Sequence, residues 1–449
     1  MEFSPWTLLV DAGLIGVLLV FGTLLRAKIK ALQTMMIPAG VIAGIAGLIL
    51  GPNVLGWLPF SDQLGTYTSI LIAVVFACLA LTSDFNLAKI GRSVASFASY
   101  GVLMYGAQVA IGMLLALALL GPLLGAPDYI GIMLFAGWAG GFGSAAAVGA
   151  AFADAGDPAV ASIGFTAATV GLMIGVVGGI AQAKLGAVRG HAKEFAGAEE
   201  IPRELRTGVL DHVGARPPIG LHLFSGGTIE SLTFQIGLVA SVSTAAYGVN
   251  LMLGQLIPGV AFPLFTIAFI VGLMLRGVLT ASRATRFIDK ESINSLSGTA
   301  TDILMVCGIA SVVPSLVADQ WLSLVILFVI GLALCLFLGF WVAPRVLGDG
   351  WYERQLFTWG WSTGAVATGI ALLRIVDPKL NSRTLEDFSV AYLPVLPVEI
   401  TAVTFVPLLV IAGASWSVVG IWGAIMLAAL IASIYFMSLN KRTAATTAA

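Results

Sequence analysis

Residues 137–149 read Gly-Trp-Ala-Gly-Gly-Phe-Gly-Ser-Ala-Ala-Ala-Val-Gly (GWAGGFGSAAAVG), and their reading decides the fold. They lie in a chain of 449 residues that is 59% hydrophobic and only 10% charged. A soluble chain needs about 25% charged residues, so the solvent of this one is largely lipid. At membrane depth every backbone N–H and C=O must find a partner inside the protein. Gly140, Gly141 and Gly143 weaken a helix where it is most needed. Irregular backbone survives there only where protein buries it or where it lines a wet cavity. The cluster therefore reads as the tip of a hairpin.

A helical span takes about 20 apolar residues. Such runs fall at 6–25, 36–58, 66–83, 94–120 and 159–183, then at 231–253, 258–279, 298–317, 321–343, 389–412 and 416–438. Two further apolar segments, 130–152 and 355–373, are interrupted by glycine. The first run follows Glu2 with no basic residue ahead of it, so it reads as a retained helix rather than a cleaved signal.

Basic residues orient the spans. Arg26, Lys28 and Lys30 follow the first, and Lys89 and Arg92 follow the third. Residues 59–65 and 121–129 contain no Lys or Arg. This is the positive-inside pattern with the N-terminus outside. If 130–152 crossed fully, Lys184, Arg189 and Lys193 would lie outside. If 130–152 and 355–373 both re-enter, all 22 Lys and Arg fall on the cytoplasmic side. The expectation is eleven spans and two re-entrant hairpins, with the central linker and the C-terminus cytoplasmic.

The two halves repeat at one offset. Ile37-Pro38 answers to Ile257-Pro258, and Asp157-Pro158 to Asp377-Pro378, each 220 residues apart. Gly140, Ala145 and Gly149 answer to Gly360, Ala365 and Gly369 at the same spacing. The expected fold is an all-α polytopic membrane protein. It has two inverted repeats of five transmembrane helices, each with one re-entrant hairpin, and an extra C-terminal helix. Residues 1–185 form the first repeat, 186–230 a linker, 231–412 the second repeat, and 413–449 the extra helix and tail. Inverted repeats with broken elements at the midplane are a design of secondary transporters.

Half-helix N-termini at the tips would attract anionic groups such as carboxylates. Candidate substrate-binding residues are Gly140, Gly141, Gly143 and Ser144 in the first hairpin. Ser362, Thr363, Gly364 and Thr368 are those of the second. Hydroxyls and freed carbonyls there also suit Na+. Glu399 sits between disruptive prolines in Pro394-Val-Leu-Pro-Val-Glu, as a cation ligand, a proton carrier or a paired structural carboxylate. Asp302 and Asp84 are further cation-coupling candidates near helix ends. Gln108 and Asn250 read as polar helix–helix contacts, and Arg374 as an interfacial anchor or a carboxylate partner.

The histidines His191, His212 and His222 are widely spaced and read as part of a solvated linker, with a metal role as the alternative, and Cys78, Cys307 and Cys335 read as small core residues. No cofactor is expected. No nucleophile, base or metal cluster supports an enzyme, and no nucleic-acid partner is expected. A channel with a continuous pore remains a competing class.

Four features resemble the bacterial sodium/glutamate symporters. They are Ile37-Pro38-Ala-Gly, the basic loop Asn86 to Arg92, Gln108, and the Gly-Gly-x-Gly-Ser hairpin from Gly140 to Ser144. Phe142 and Ser144 stand where that family's pattern has His and Thr. The resemblance implies Na+-coupled uptake of glutamate or a similar carboxylate. It also implies a homodimer in the inner membrane and an elevator-like movement of the hairpin-bearing domain. An H+-coupled organic-anion carrier is the alternative.

Overall fold

The computed structural model describes residues 4–34, 37–83, 92–192, 203–210, 218–225, 227–256, 263–377 and 381–447. All regular structure among them is helical. The first half runs α1 (Pro5–Lys28), α2 (Lys30–Thr34), α3 (Ala39–Leu50), α4 (Leu64–Thr82), α5 (Arg92–Leu115), α6 (Gly121–Leu124), α7 (Gly141–Asp154) and α8 (Ala159–Val188). After α9 (Arg203–Thr207) come α10 (Ser231–Leu256), α11 (Leu264–Ala281), α12 (Lys290–Ala310), α13 (Pro314–Asp319), α14 (Trp321–Phe337) and α15 (Ala343–Val346). The chain closes with α16 (Trp351–Thr363), α17 (Val366–Val376), α18 (Thr384–Ile411) and α19 (Ser415–Thr447).

Ten helices among the described residues are long and apolar enough to cross a membrane. They match ten of the eleven expected runs. The exception is 36–58, which holds only the 12-residue α3. Pro52 stops that helix by pushing Gly51 out of the helical region, to φ -77° and ψ 180°. The rest of the run is a turn rich in Val54, Leu55 and Trp57, apolar without being helical. α8 extends to Val188, five residues past the expected end of its run at 183.

α3 retraces α1 in the opposite direction. Gly22 meets Ala39, with its added Cβ 2.5 Å from that carbonyl, and Gly47 meets Leu18. The turn that follows reaches Asp11. The Asp11 carboxylate is fully buried. It accepts from the Ser61 N–H (3.1 Å), the Ser61 hydroxyl (2.5 Å) and the Tyr67 hydroxyl (2.9 Å). One carboxylate thus ties α1, the turn and α4 together.

The largest core surrounds residues 128–154 and α16–α19 and takes in α5, α8 and α14. Smaller cores join α1, α3, α4, α10, α11 and α12. Small residues set the close approaches, as expected where lipid removes most of the hydrophobic drive between helices. Gly308 of α12 lies against the Phe165 ring of α8, and Gly44 of α3 against Ile309.

Asp11→Ala should lower stability by about 3 kcal/mol, because three donors lose a buried carboxylate partner. Thermal unfolding of the purified protein in detergent should show a clear fall in Tm. Asp62→Ala, at an exposed neighbour, should leave it unchanged.

Candidate functional site

Both glycine-interrupted segments are helices broken near their middles. The first passes through a 3-10 turn (Asp128–Ile132) and a π-helical turn (Phe135–Ala139), breaks at Gly140, and continues as α7. The second is α16, a break at Gly364, and α17. α7, α16 and α17 have 14, 13 and 11 residues. At 1.5 Å per residue they span about 21, 20 and 17 Å. None alone crosses a hydrocarbon layer of about 30 Å.

The two breaks meet. Gly141 has φ +62° and is buried, and a Cβ there would lie 2.7 Å from the Gly364 carbonyl oxygen. Only glycine suits both the backbone and the space. α7 and α17 both start at this junction, so the unpaired N–H groups of two helix N-termini lie at it.

Two helices hold the junction. α8 runs beside both segments. Gly164 faces Ala145 of α7, and Gly171 and Gly175 face Thr363. The Trp359 indole N–H donates to the Gly175 carbonyl at 3.0 Å. α5 supplies a stripe at Gly101, Tyr105, Gln108 and Gly112, one face of a helix. Gly101 lies against the Trp361 ring and Gly112 against Gly131. The Gln108 side-chain amide donates to the Ser362 carbonyl at 2.9 Å. The Tyr105 phenol stands near the Ser144 hydroxyl and within the field of Glu399.

The expected substrate-binding residues are therefore brought together. Gly140, Gly141, Gly143 and Ser144 flank the first break; Ser362, Thr363, Gly364 and Thr368 flank the second. Ser144, Ser362, Thr363 and Thr368 are all buried. The Thr363 hydroxyl is committed to the Trp359 carbonyl at 2.7 Å. Ala365, Val366 and Ala367, just past the second break, are exposed.

Of the cation-coupling candidates, Glu399 and Asp302 lie on different helices, α18 and α12. Glu399 accepts from the Tyr392 hydroxyl at 2.7 Å within α18. Asp302 is exposed on α12. Asp84 lies outside the described residues. Pro394, Pro397 and Pro407 lie inside α18. Lacking N–H groups, they free the carbonyls four residues earlier, at Val390, Leu393 and Val403.

Arg374 lies ten residues past the break along α17, toward its far end. Its buried Nε has no hydrogen-bond partner. Among the histidines, His191 packs on Trp351 and Tyr352 (5.3 and 5.9 Å between ring centres). His222 lies 3.7 Å from Glu230 at the surface, and His212 is outside the described residues. The three cysteines are buried and free.

Tyr105, Trp138 and Tyr392 border the site and carried no signal in the sequence. Each sits in an apolar run where an aromatic residue reads as core.

Ten span-length helices around two broken segments that meet within the core define a multi-pass membrane protein. The chain belongs to the sodium/glutamate symporter family, whose model matches residues 7–380. It is thus a membrane transporter and not an enzyme, and membership implies Na+-coupled transport. No curated relative and no solved structure matches the chain. The family match ends before α18 and α19, and so before Tyr392 and Glu399.

Gly141→Ala should destabilise the protein by about 2 kcal/mol, from the left-handed backbone cost and the overlap with Gly364. Gly143→Ala meets only the Ile72 side chain, at 3.5 Å. It should be tolerated. Paired thermal unfolding curves of the two variants check this difference.

Proposed function

We propose that the protein couples Na+ entry to uptake of glutamate or a similar carboxylate by alternating access. The observation that carries this is the contact between Gly141 and Gly364. It brings the N-termini of α7 and α17 to one point, where partial positive charge and free N–H groups suit a carboxylate. Ser144, Ser362, Thr363 and Thr368 surround that point, with Gly140, Gly143 and Gly364 allowing close approach. The freed carbonyls in α18 suit Na+, with Glu399, Asp302 and Asp84 as coupling carboxylates.

Each broken segment is then a re-entrant hairpin, and the two enter from opposite faces. The halves, 1–185 and 231–412, are inverted repeats joined by the 186–230 linker. A second likeness between them supports this. α5 ends in a π-helical turn at Ala116–Leu120, followed by the one-turn α6 carrying Pro122. α14 ends in a π-helical turn at Leu338–Val342, followed by the one-turn α15 carrying Pro344. In this reading the hairpins with α5 and α8 move as one unit against α1, α3, α4 and α10–α12, as in an elevator. The protein sits in the inner membrane as a homodimer, N-terminus outside, linker and C-terminus cytoplasmic.

Proton coupling is the second reading, favoured by the 2.7 Å Tyr392–Glu399 hydrogen bond, which spans Pro394 and Pro397 along α18 and gives the carboxylate a hydroxyl partner. Uptake of labelled L-glutamate into proteoliposomes separates the two. The expected result is saturable uptake driven by an imposed Na+ gradient alone, with Ser144→Ala reducing it at least tenfold. Uptake driven by a proton gradient alone, and abolished in Glu399→Gln, would replace Na+ with H+. No uptake under either gradient from folded protein would discard glutamate.

A further inference from the structure

Four buried polar atoms at the meeting of the breaks have no hydrogen-bond partner. They are the Tyr105 hydroxyl, Gln108 Oε1, Trp138 Nε1 and Ser362 Oγ. All four residues are 0% exposed. Such atoms are costly to leave unpaired inside a protein, and four around one junction mark a place built for something polar.

The chemistry of two of them is fixed. Gln108 Nε2 donates to the Ser362 carbonyl at 2.9 Å. The opposite amide orientation would set Oε1 against that carbonyl, two acceptors face to face, so Oε1 points the other way. Oε1 can only accept, and nothing donates to it. Trp138 Nε1 can only donate, and nothing accepts from it. The junction therefore presents an unmet acceptor and an unmet donor.

Both stand against the same turn. A Cβ at Gly171 would lie 2.5 Å from Trp138 Cδ1 and 2.7 Å from the Thr363 carbonyl oxygen, so the indole edge and that carbonyl border one point. Gln108 holds Ser362, the preceding residue. Consecutive Cα atoms are about 3.8 Å apart, so the two side chains flank adjacent residues of the second break. The Tyr105 and Ser362 hydroxyls can donate or accept, and so complete either end.

We propose that Gln108 is the residue that distinguishes an amino acid from a plain dicarboxylate. Its Oε1 accepts from the substrate ammonium, and Trp138 Nε1 donates to a substrate carboxylate. This rests on the reading of the junction as the substrate site. A dicarboxylate without the ammonium leaves Oε1 buried and unpaired, which is how a polar site rejects an analogue lacking one N–H group.

The test is competition against labelled L-glutamate by unlabelled L-glutamate and by glutarate, which has the same carbon chain and no ammonium. Binding is read on purified protein by scintillation proximity, so a variant that no longer transports still reports. In the unsubstituted protein glutarate should bind at least about 100-fold more weakly. Gln108→Met should bring the ratio below about 10 by weakening glutamate while sparing glutarate. Trp138→Phe keeps the ring but removes the N–H; it should weaken both ligands and leave the ratio unchanged. A Gln108 that merely fastens the second break would shift both ligands alike. An unchanged ratio in Gln108→Met, or a ratio near one in the unsubstituted protein, overturns the proposal. Failure to bind either ligand sinks the glutamate reading itself, and this proposal with it.

Discussion

A backbone carbonyl or N–H group in hydrocarbon has no water to turn to, and the rest of this structure follows from that constraint. Each broken segment interrupts the helical ladder near its middle and leaves several such groups unpaired. They must be surrounded by protein. α8 lies alongside both segments through glycine contacts at Gly164, Gly171 and Gly175, and α5 closes the other side through Gly101, Gln108 and Gly112. The glycine content is thus a condition of the breaks: bulkier residues on α8 would hold the segments off and leave their ends uncovered.

The outer helices answer a different need. α1, α3, α4 and α12 are fixed to one another by close helix contacts and by Asp11, which gathers three donors from the turn after α3 and from α4. At the base of the second segment, Arg354 pairs with Asp387 at 2.6 Å and its guanidinium stands 5.7 Å from the Phe97 ring of α5. Asp289 caps α12 and also accepts from the Leu221 N–H at 2.8 Å, which binds the linker to the helix. Ionic and polar fasteners therefore hold the periphery and the segment bases. The junction of the breaks retains unpaired groups, as do Gln182 and Gln355 where α8 meets α16.

Much of this was legible in the sequence because its signals are local. Glycines 140, 141 and 143, set in an apolar run, can only weaken a helix, and the break falls among them. Ten of the expected runs were found as helices, most with ends within about five residues, though 298–317 lies at Lys290–Ala310 and 258–279 begins at Leu264, because hydropathy over 20 positions registers a span better than its ends. It failed at 36–58, where an apolar turn after Gly51 counted as helix. The walls of the site were less legible. Gln108 touches Ser362 across 254 positions of chain, and nothing near either residue signals the partner. Trp138 and Tyr105 look like core aromatics, and only the missing partner of the indole N–H and the phenol marks them as different.

α5 is gripped on two sides. One face carries Gly101, Tyr105, Gln108 and Gly112 toward the broken segments. On the other, Gly106 lies against Ile425 and Met426 of α19, a helix beyond the family match. Tyr105 also reaches the Trp422 ring, 6.5 Å between centres. In mechanical terms α5 is a beam with the junction bolted to one flange and α19 to the other. If the junction moves as proposed, these contacts tie α19 to it. In the proposed elevator-like movement, the lipid shell around the last helix would move too, and drag on that shell would be part of the work.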